Sequence, residues 1–261
     1  MSERAEQALG ELMGSKKYKQ ICKDTVRRIF LQELAKRGNV KQADKAARAQ
    51  LHQISGAYMG EDGRKRADAL LKEYQAGDET AFERLMALHA STKERTPYAQ
   101  ALYGALFERI GKPRRVLDLA CGLNPLMLAR QGVSVEGVDI HGGMIELVNQ
   151  WAQALSLPAQ TWVGDLLCME EFPEADAVLM LKLLPVLEQQ RSGAAMALLL
   201  AQHAKWRVVS FPTRSLGGRR VGMERHYTEW FEGNLPQTLQ IWDRFCVDNE
   251  LFYIVKKAQN E

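Results

Sequence analysis

Two acidic residues near the middle of the chain end apolar segments that have the composition of buried strands. Asp118 lies in the segment Arg115–Leu119, and Asp139 ends the segment 133–139, 21 residues further along. In a sheet of parallel strands, ligands bind beyond the carboxyl ends of the strands. A carboxylate at such an end can accept hydrogen bonds from both hydroxyls of a ribose. The spacing therefore predicts a pocket for an adenosine-containing cofactor.

The turn after the first strand indicates which cofactor is bound. Residues 120–125 are Ala-Cys-Gly-Leu-Asn-Pro, whereas a dinucleotide fingerprint needs three glycines to seat a pyrophosphate on a helix N-terminus. Pro125 also removes a backbone donor. S-adenosylmethionine carries no phosphate, so the turn favours a class I methyltransferase. Gly122 would let the backbone approach the cofactor, with Ala120 and Ile140 beside it. An ordinary strand-to-helix turn of another α/β enzyme is the alternative.

The elements around this turn alternate between strands and helices, which predicts an α/β fold. We expect a Rossmann-like, class I S-adenosylmethionine-dependent methyltransferase with a seven-stranded, largely parallel sheet that ends in an antiparallel hairpin. This catalytic domain would span residues 113–261 and follow a helical domain at residues 1–112. The predicted strands are 115–119, 133–139, 160–164, 176–182, 207–211, 238–245 and 251–257.

The helical domain is predicted from caps and apolar spacing. Asp24 should cap a helix that begins at Thr25 and stops at Gly38. Further helices are expected at 43–54 and after Gly77. The helix that begins at Thr25 should bury a stripe of residues at helical spacing: Val26, Ile29, Phe30 and Leu34. The last should contain Phe82, Leu85, Met86 and Leu88.

Composition and charge limit the class of protein. Hydrophobic residues make up 46% and charged residues 26% of the 261 residues, which is ordinary for a globular protein. We expect no membrane span and no signal peptide. The four cysteines lack metal-ligand spacing, so we expect a reducing cytoplasm with neither disulfides nor a bound metal. Residues 1–55 carry 12 Lys or Arg against six Asp or Glu. This excess indicates a polyanionic partner or a solvated helical face.

Three polar residues occupy positions that could carry chemistry. The Arg95 guanidinium matches a carboxylate such as that of methionine, although Ser91 or Thr92 could instead cap a helix there. Asp165 follows the third strand and could hold an adenine amino group, or could simply end the strand. Lys182 interrupts an apolar run at the end of the fourth strand and must reach water, a partner or a ligand. We expect it at the catalytic mouth.

A glycine-containing basic loop follows the fifth predicted strand, at residues 211–220. Arg214 and Arg219 of this loop could grip phosphates or hold a flipped nucleotide, or they could be incidental surface arginines.

Several of these strings occur together in one known family. The chain resembles the aminoglycoside-resistance 16S ribosomal RNA methyltransferases that modify guanine-1405 at N7. His-Ala-Ser-Thr-Lys-Glu-Arg and Phe-Pro-Thr-Arg-Ser-Leu-Gly-Gly are uncommon strings, which makes the resemblance specific. The matching segments, in chain order, are 15–18, 24–29, 89–95, 118–125, 139–141, 182–185 and 211–218.

The resemblance implies S-adenosyl-L-methionine as the cofactor and the small (30S) ribosomal subunit as the partner of a monomeric enzyme. The implied cofactor contacts are Tyr58, His89, Ala90, Ser91, Arg95, Ala120, Asp139, Asp165, Leu166, Leu181 and Gln190. The helical domain would dock on ribosomal RNA, with expected contacts at Lys16, Lys17, Arg27, Arg28, Arg48, Arg214 and Arg219. Asp165, Lys182 and Arg214 are the expected catalytic residues.

Two alternatives stay open at this stage. A small-molecule methyltransferase would share the cofactor pocket but would not need the basic N-terminal segment or the basic loop. A cofactor-binding protein without activity would share the pocket and lack turnover. Within the favoured function, a nucleotide next to guanine-1405 is a further possible target.

Overall fold

The computed structural model describes residues 1–55, 61–213 and 223–258. Its described part begins with helices and continues with alternating strands and helices. Every described helix is too short or too polar to cross a bilayer. The first group of helices is α1 (Glu3–Gly14), α2 (Lys23–Arg37), α3 (Val40–Ser55), α4 (Glu61–Gln75), α5 (Thr80–Met86), α6 (Ala90–Arg95), a 3₁₀ helix (Thr96–Tyr98) and α7 (Ala99–Ile110). The second group is β1 (Arg115–Leu119), α8 (Asn124–Ala129), β2 (Ser134–Asp139), α9 (Gly142–Ala154), β3 (Ala159–Val163), β4 (Ala175–Leu181), α10 (Leu184–Gln190), α11 (Ala194–Ala201), β5 (Ala204–Pro212), α12 (Met223–Asn234), β6 (Leu239–Val247) and β7 (Glu250–Lys257).

The seven strands form one sheet in the order β3-β2-β1-β4-β5-β7-β6. Strands β1 to β5 are parallel, and β7 runs antiparallel to both β5 and β6. This arrangement confirms the predicted class I methyltransferase sheet with its terminal hairpin. The strand order reverses between β1 and β4, which places the ligand-binding edge at the carboxyl ends of the central strands.

Both faces of the sheet are buried, and neighbouring residues alternate between them. Val116 and Leu179 contribute to the core on one face, whereas Leu117 and Met180 contribute to the core on the other. Helices α7, α8 and α9 pack on the first face, and α10, α11 and α12 pack on the second. The near-continuous apolar strands are therefore those expected of a sheet covered on both sides.

The N-terminal helices divide between two apolar cores. Helices α1, α2 and α3 build a small core of their own, in which Leu12, Ile29 and Phe30 are fully buried. Residues of α4, α5 and α7 instead join the core on the first face of the sheet. The apolar contacts separate α1–α3 from the helices that follow, because α4, α5 and α7 share a core with the sheet. The domain boundary at residue 112 therefore stays a prediction.

Several predicted helix ends differ from the structure. Helix α2 begins at Lys23, so Asp24 lies in its first turn and Cys22 occupies the N-cap without a side-chain hydrogen bond. An acidic residue in the first turn still interacts favourably with the helix dipole. Gly38 ends α2 in the left-handed conformation, as predicted. Helix α3 begins at Val40 because the Asn39 side chain accepts from Gln42 N at 3.1 Å.

Helix α5 and strand β5 also differ from their predicted limits. Helix α5 ends at Met86, so Leu88 lies in the turn that follows it. Strand β5 begins at Ala204, before the apolar run that marked it in the sequence, because Ala204 pairs with Ala175 of β4.

Backbone contacts attach the α1–α2 connection to the end of β2. Ile21 forms an isolated antiparallel bridge with His141. Cys22 N donates to Ile140 O at 2.7 Å, and Gly142 N donates to Gln20 O at 2.7 Å. These bonds place the beginning of α2 directly beside the carboxyl end of β2, where Asp139 lies.

Candidate active site

A cavity with an empty volume of about 470 Å³ opens at the carboxyl ends of the parallel strands. Predicted cofactor residues on its wall are Ala120, Asp139, Ile140, Asp165, Leu166 and Gln190. Residues that were not predicted there are Thr25, Arg28, Ile54, Val138, Gly164, Leu183, Val186 and Leu187.

The Asp139 carboxylate is held in place by two backbone donors. Gly122 N donates to Oδ2 at 3.0 Å and His141 N donates to Oδ1 at 3.1 Å. Asp139 is buried, so these bonds compensate for part of its lost hydration. The acidic side chain therefore lies where the sequence predicted it, at the end of β2 and on the pocket wall.

Gly122 is required at this turn for two reasons. Its φ is +52°, which favours glycine, and a Cβ there would lie 2.9 Å from His89 Cε1. Ala120 also has a positive φ, of 56°, so the loop after β1 stores backbone strain beside the pocket, as functional loops often do. The tight turn brings the β1 loop, His89 and Asp139 into one small volume.

A buried polar chain supports the turn from below. The Tyr103 hydroxyl donates to Asn124 Oδ1, and Asn124 Nδ2 donates to Asp118 Oδ2 at 2.7 Å. Burial raises the pKa of Asp118 to about 7, although the Asn124 hydrogen bond and the Arg95 charge favour its carboxylate. Asp118 is thus a structural support of the loop and is not among the residues that line the cavity.

Asp165 is bound by Arg28, a residue that was expected to contact ribosomal RNA. Arg28 Nε donates to Asp165 Oδ2 at 2.9 Å, and Arg28 Nη2 donates to Gln190 Oε1 at 2.9 Å. Leu167 N also donates to Asp165 Oδ1 at 2.9 Å. The Arg28 side chain is only 11% exposed and lines the pocket, so it lies inside the protein and not on the basic surface of α2.

Arg95 is fully buried and forms an ion pair with Glu250, the first residue of β7. Its Nη2 donates to Glu250 Oε1 at 2.9 Å and to Oε2 at 3.2 Å. Burial alone would lower the pKa of Arg95, but Glu250 outweighs it and raises that pKa. Burial alone would raise the pKa of Glu250, but Arg95 and Lys182 lower it below its ordinary value. The Arg95 guanidinium was expected to bind a cofactor carboxylate, whereas in the structure it binds the carboxylate of Glu250.

Glu250 also accepts hydrogen bonds from two further elements. The Tyr98 hydroxyl donates to Oε2 at 3.0 Å, and the Ser210 hydroxyl donates to Oε1. Sequence reasoning missed Glu250 because an acidic residue at the start of a strand has no local feature that identifies its partners. The alternative for Arg95, a helix capped by Ser91 or Thr92, is wrong because His89 occupies the N-cap of α6.

Lys182 lies at the carboxyl end of β4, as predicted, and is held between two carboxylates. Its Nζ is 2.7 Å from Glu94 Oε2 and 3.9 Å from Glu250 Oε2. Its backbone is left-handed, with φ of 56°, and its N–H donates to the Ser210 hydroxyl at 3.0 Å. The side chain is 22% exposed, and Lys182 is not among the residues that line the cavity.

The remaining predicted residues lie in other places. His89, Ala90, Ser91 and Leu181 are not among the residues that line the cavity. Lys16, Lys17 and Arg27 are exposed on the α1–α3 helices and the turn between them. Arg48 is part-exposed and pairs with Asp44 at 2.8 Å. The residues that lie outside the described parts of the chain are Tyr58, Arg214 and Arg219.

The pocket also receives residues from α2 and α3 that sequence reasoning missed. Thr25 is fully buried and precedes Ile29 by one helical turn, so its place on the buried stripe was the available signal. Among the described residues, no three His, Cys, Asp or Glu side chains come together as a metal site requires. The arrangement suits a polar organic ligand with hydroxyl and amino groups.

Comparisons with known proteins agree with this geometry. The model of a ribosomal RNA methyltransferase family, FmrO, matches residues 14–254. A 16S rRNA (guanine(1405)-N(7))-methyltransferase of Serratia marcescens is 44% identical over 96% of this chain and 97% of its own length. A protein of the same name from Micromonospora rosea is 34% identical over 98% of this chain and 97% of its own length.

Solved structures give the same result. The 16S rRNA methyltransferase RmtF, crystallised with S-adenosyl-L-homocysteine, is 48% identical and superposes with a TM-score of 0.91, over 99% of this chain and all of its own. The 16S rRNA methylase RmtB is 39% identical with a TM-score of 0.86, over 99% of this chain and all of its own.

The buried His89 predicts a specific acid sensitivity of the fold. Burial, with the charges of Arg95 and His141, lowers the pKa of His89 from 6.5 to about 4. Between these values the unfolded chain binds a proton that the folded chain does not, so stability falls as the pH falls. We expect His89→Gln to reduce the loss of unfolding free energy between pH 7.5 and pH 5 by about 2 kcal/mol, measured by urea denaturation.

Asp118→Asn is the matched control, because the raised pKa of Asp118 has the opposite linkage. The folded state binds that proton first, so Asp118 adds stability on acidification, and its removal should steepen the acid loss. An unchanged pH dependence in His89→Gln would contradict the assignment of a neutral buried imidazole.

Proposed function

The chain belongs to the FmrO family of ribosomal RNA methyltransferases, and we propose that it methylates N7 of guanine-1405 in the 16S rRNA of the assembled 30S subunit. The methyl donor is S-adenosyl-L-methionine, and the consequence for the cell is aminoglycoside resistance. The observation that carries the proposal is the Asp139 carboxylate, held by two backbone donors on a pocket wall at the end of β2. We further propose a monomeric cytoplasmic enzyme with a docking domain at residues 1–112 and a catalytic domain at residues 113–261.

The residues of the pocket fit this cofactor. Asp139 offers carboxylate oxygens for the ribose hydroxyls, and Asp165 offers an acceptor for the adenine amino group. The small side chain of Ala120, which lines the cavity, leaves room for the ligand beside the β1 loop. Thr25 Oγ1 is buried without a hydrogen-bond partner among the described residues, which suits a site that a polar ligand completes. When bound, S-adenosyl-L-methionine supplies an electrophilic methyl group on its sulfonium.

The chemistry asks little proton transfer of the protein. Guanine N7 carries a free lone pair, so none of the side chains must act as a general base. The chain must position the base and balance the charge that develops on its ring. A guanine stacked in a helix does not present N7 to a buried donor, so we propose that the base is flipped out.

We propose that Lys182 orients the guanine rather than touching N7. A free cation against N7 would oppose the positive charge that the ring gains. Glu94 and Glu250, at 2.7 Å and 3.9 Å from Nζ, compensate the ammonium charge. Lys182 can then donate a hydrogen bond to guanine O6 or to a nearby phosphate while adding little repulsion. We propose that Arg214 of the basic loop steadies the nucleotide.

The α1–α3 helices are proposed to dock on ribosomal RNA through Lys16, Lys17, Arg27 and Arg48. Tyr18 fixes the turn between α1 and α2 against α3, because its hydroxyl donates to Arg48 O at 3.0 Å. The exposed Lys17 and the Arg48 guanidinium therefore belong to neighbouring parts of one surface. RNA of this kind is contacted largely through phosphates and shape, which suits dispersed basic residues.

Asp139→Asn tests the cofactor assignment. The amide keeps the size of the side chain but removes its charge and one acceptor oxygen. Losing a hydrogen bond to a charged group costs about 1.5–3 kcal/mol, or roughly ten- to hundredfold in affinity. Titration calorimetry with S-adenosyl-L-homocysteine should show that loss, with thermal melting to verify folding. Wild-type affinity in a folded Asp139→Asn protein would remove Asp139 from the site.

Arg27→Glu tests the docking surface. Fewer counterions are released when a phosphate contact is lost, so subunit affinity should fall and the slope of log K against log salt should decrease by about 1. The control is Lys205→Glu, the same charge reversal at the amino end of β5, away from the pocket. Filter binding over a salt series measures both. If Arg27→Glu and Lys205→Glu bind subunits equally well, the basic N-terminal segment is only a solvated face.

Lys182→Ala tests the target and the chemical step in one assay. Wild-type protein, donor and 30S subunits should give a single primer-extension stop at guanine-1405 after cleavage at 7-methylguanine. Lys182→Ala keeps a Cβ at the left-handed position and should lower the single-turnover rate about a hundredfold. Its cofactor affinity and most of its subunit affinity should remain.

Other outcomes of that assay contradict the proposal at defined points. A stop at another nucleotide overturns the target, and the absence of any stop with bound subunits overturns the activity. A wild-type rate in Lys182→Ala, or full drug resistance of cells that express it at normal levels, overturns the role of the lysine.

A further inference from the structure

Arg28 joins three parts of the chain at the pocket. It belongs to α2 and reaches Asp165, 137 residues away, and Gln190, 162 residues away. Asp165 follows β3, and Gln190 ends α10. Both bonds are 2.9 Å long, and the guanidinium uses two different nitrogen atoms for them. A planar fork with fixed donor directions holds two acceptors in one relative position, which a flexible ammonium cannot do.

The third nitrogen atom of Arg28, Nη1, has no nitrogen or oxygen partner among the described residues, although the Arg28 side chain also interacts with the Cys168 thiol. Nη1 is buried, and Thr25 Oγ1 on the same helix is likewise buried without a hydrogen-bond partner among those residues. Both residues line the cavity. Buried donors without partners are costly, and a ligand that accepts their hydrogen bonds removes that cost. The α2 face of the pocket therefore offers buried polar atoms that an occupant can satisfy.

The same helix is tied to the ribose side of the pocket by its backbone. Cys22, immediately before α2, donates to Ile140 O at 2.7 Å, and Ile21 pairs with His141. Gly142 has no space for a side chain larger than hydrogen without displacement, since a Cβ would lie 3.2 Å from Gln20 O. Helix α2 is thus attached at two points, beside Asp139 through the backbone and at Asp165 through Arg28.

We propose that Arg28 is a positioning residue that makes α2 the third wall of the cofactor pocket and couples cofactor binding to docking of the α1–α3 helices. This inference rests on the proposed function, because it takes the adenosyl cofactor as the occupant and ribosomal RNA as the ligand of α1–α3. Arg28 holds the Asp165 carboxylate and the Gln190 amide where the adenine is bound. The occupied pocket in turn fixes the orientation of α2 and of the exposed basic residues on the α1–α3 helices.

Coupling of this kind is reciprocal. If bound cofactor strengthens subunit binding by some factor, bound subunit strengthens cofactor binding by the same factor. The Arg28 guanidinium belongs to α2 and contacts Asp165 and Gln190 of the pocket, so it provides the differential contact that coupling requires. Removal of the fork should therefore reduce two measured quantities, the cofactor affinity of the free protein and the coupling factor.

The test compares Arg28→Ala with its neighbour Arg27→Ala, which removes the same charge from the exposed side of α2. Calorimetry with S-adenosyl-L-homocysteine should show a loss of about tenfold or more for Arg28→Ala and a change below about twofold for Arg27→Ala. Subunit affinity is then measured with and without saturating S-adenosyl-L-homocysteine. Wild type should show a coupling factor of about fivefold or more, and Arg28→Ala a factor near one. Arg27→Ala should bind subunits more weakly but keep the wild-type factor.

Arg28→Lys keeps the test decisive if Arg28→Ala fails to fold. Lysine preserves the charge beside Asp165, so the ion pair that stabilises the fold remains, but it cannot bridge Asp165 and Gln190. We expect a folded protein whose cofactor affinity is partly retained and whose coupling factor is below about twofold, compared with about fivefold or more in wild type. A purely structural ion pair would instead leave the coupling factor of Arg28→Lys at the wild-type value, which overturns the proposal.

The two arms separate this proposal from the proposed function. The cofactor measurements need no subunits. If wild-type protein does not bind subunits, the docking function is refuted, but the cofactor affinities still decide the role of Arg28 in the pocket. Equal cofactor affinity of Arg28→Ala and Arg27→Ala overturns that role. A wild-type coupling factor of one, with normal subunit binding, overturns the coupling.

Discussion

The buried ion pair between Arg95 and Glu250 is the interaction on which the catalytic end of the molecule depends. Arg95 belongs to α6 and Glu250 begins β7, so the pair fastens the helical segment to the last strand of the sheet. Both side chains are almost completely buried. Removing one partner of such a pair leaves an uncompensated charge, which typically costs about 3–5 kcal/mol. Tyr98, Ser210 and Lys182 all take their positions from the same carboxylate.

This network also determines the electrostatic environment of Lys182. Arg95 and Lys182 bring two positive charges, and Glu94 and Glu250 bring two negative charges within ion-pair distance of them. The cluster is neutral as a whole, although every member is charged. In the proposed mechanism, a nucleobase that gains positive charge therefore lies beside Lys182 without strong repulsion. Preorganised charges of this kind need no rearrangement when the charge develops.

The sequence predicted those features that depend on neighbours in the chain. Asp139, Asp165 and Lys182 were found because each ends an apolar strand, and parallel strands bring such ends to one edge. The turn at Gly122 was found because its composition excludes a phosphate site. Pairings across the fold had no such local signal. Arg28 and Asp165 are 137 residues apart, and Arg95 and Glu250 are 155 residues apart. The sequence around each arginine therefore indicates a charged side chain but not the carboxylate with which it pairs.

The difference at Arg28 changes how the N-terminal helices are understood. A segment with its own apolar core and an excess of positive charge is typical of an independent docking module, and exposed Arg27 fits that description. Arg28, one residue further, rotates by about 100° around the helix and enters the pocket instead. Hydrogen bonds of 2.9 Å weaken steeply when the partners separate or tilt, so a small shift of α2 would break its contacts with Asp165 and Gln190. In the proposed docking mode, a displacement of α2 by RNA therefore reaches Asp165 and Gln190 directly, without a chain of intermediate residues.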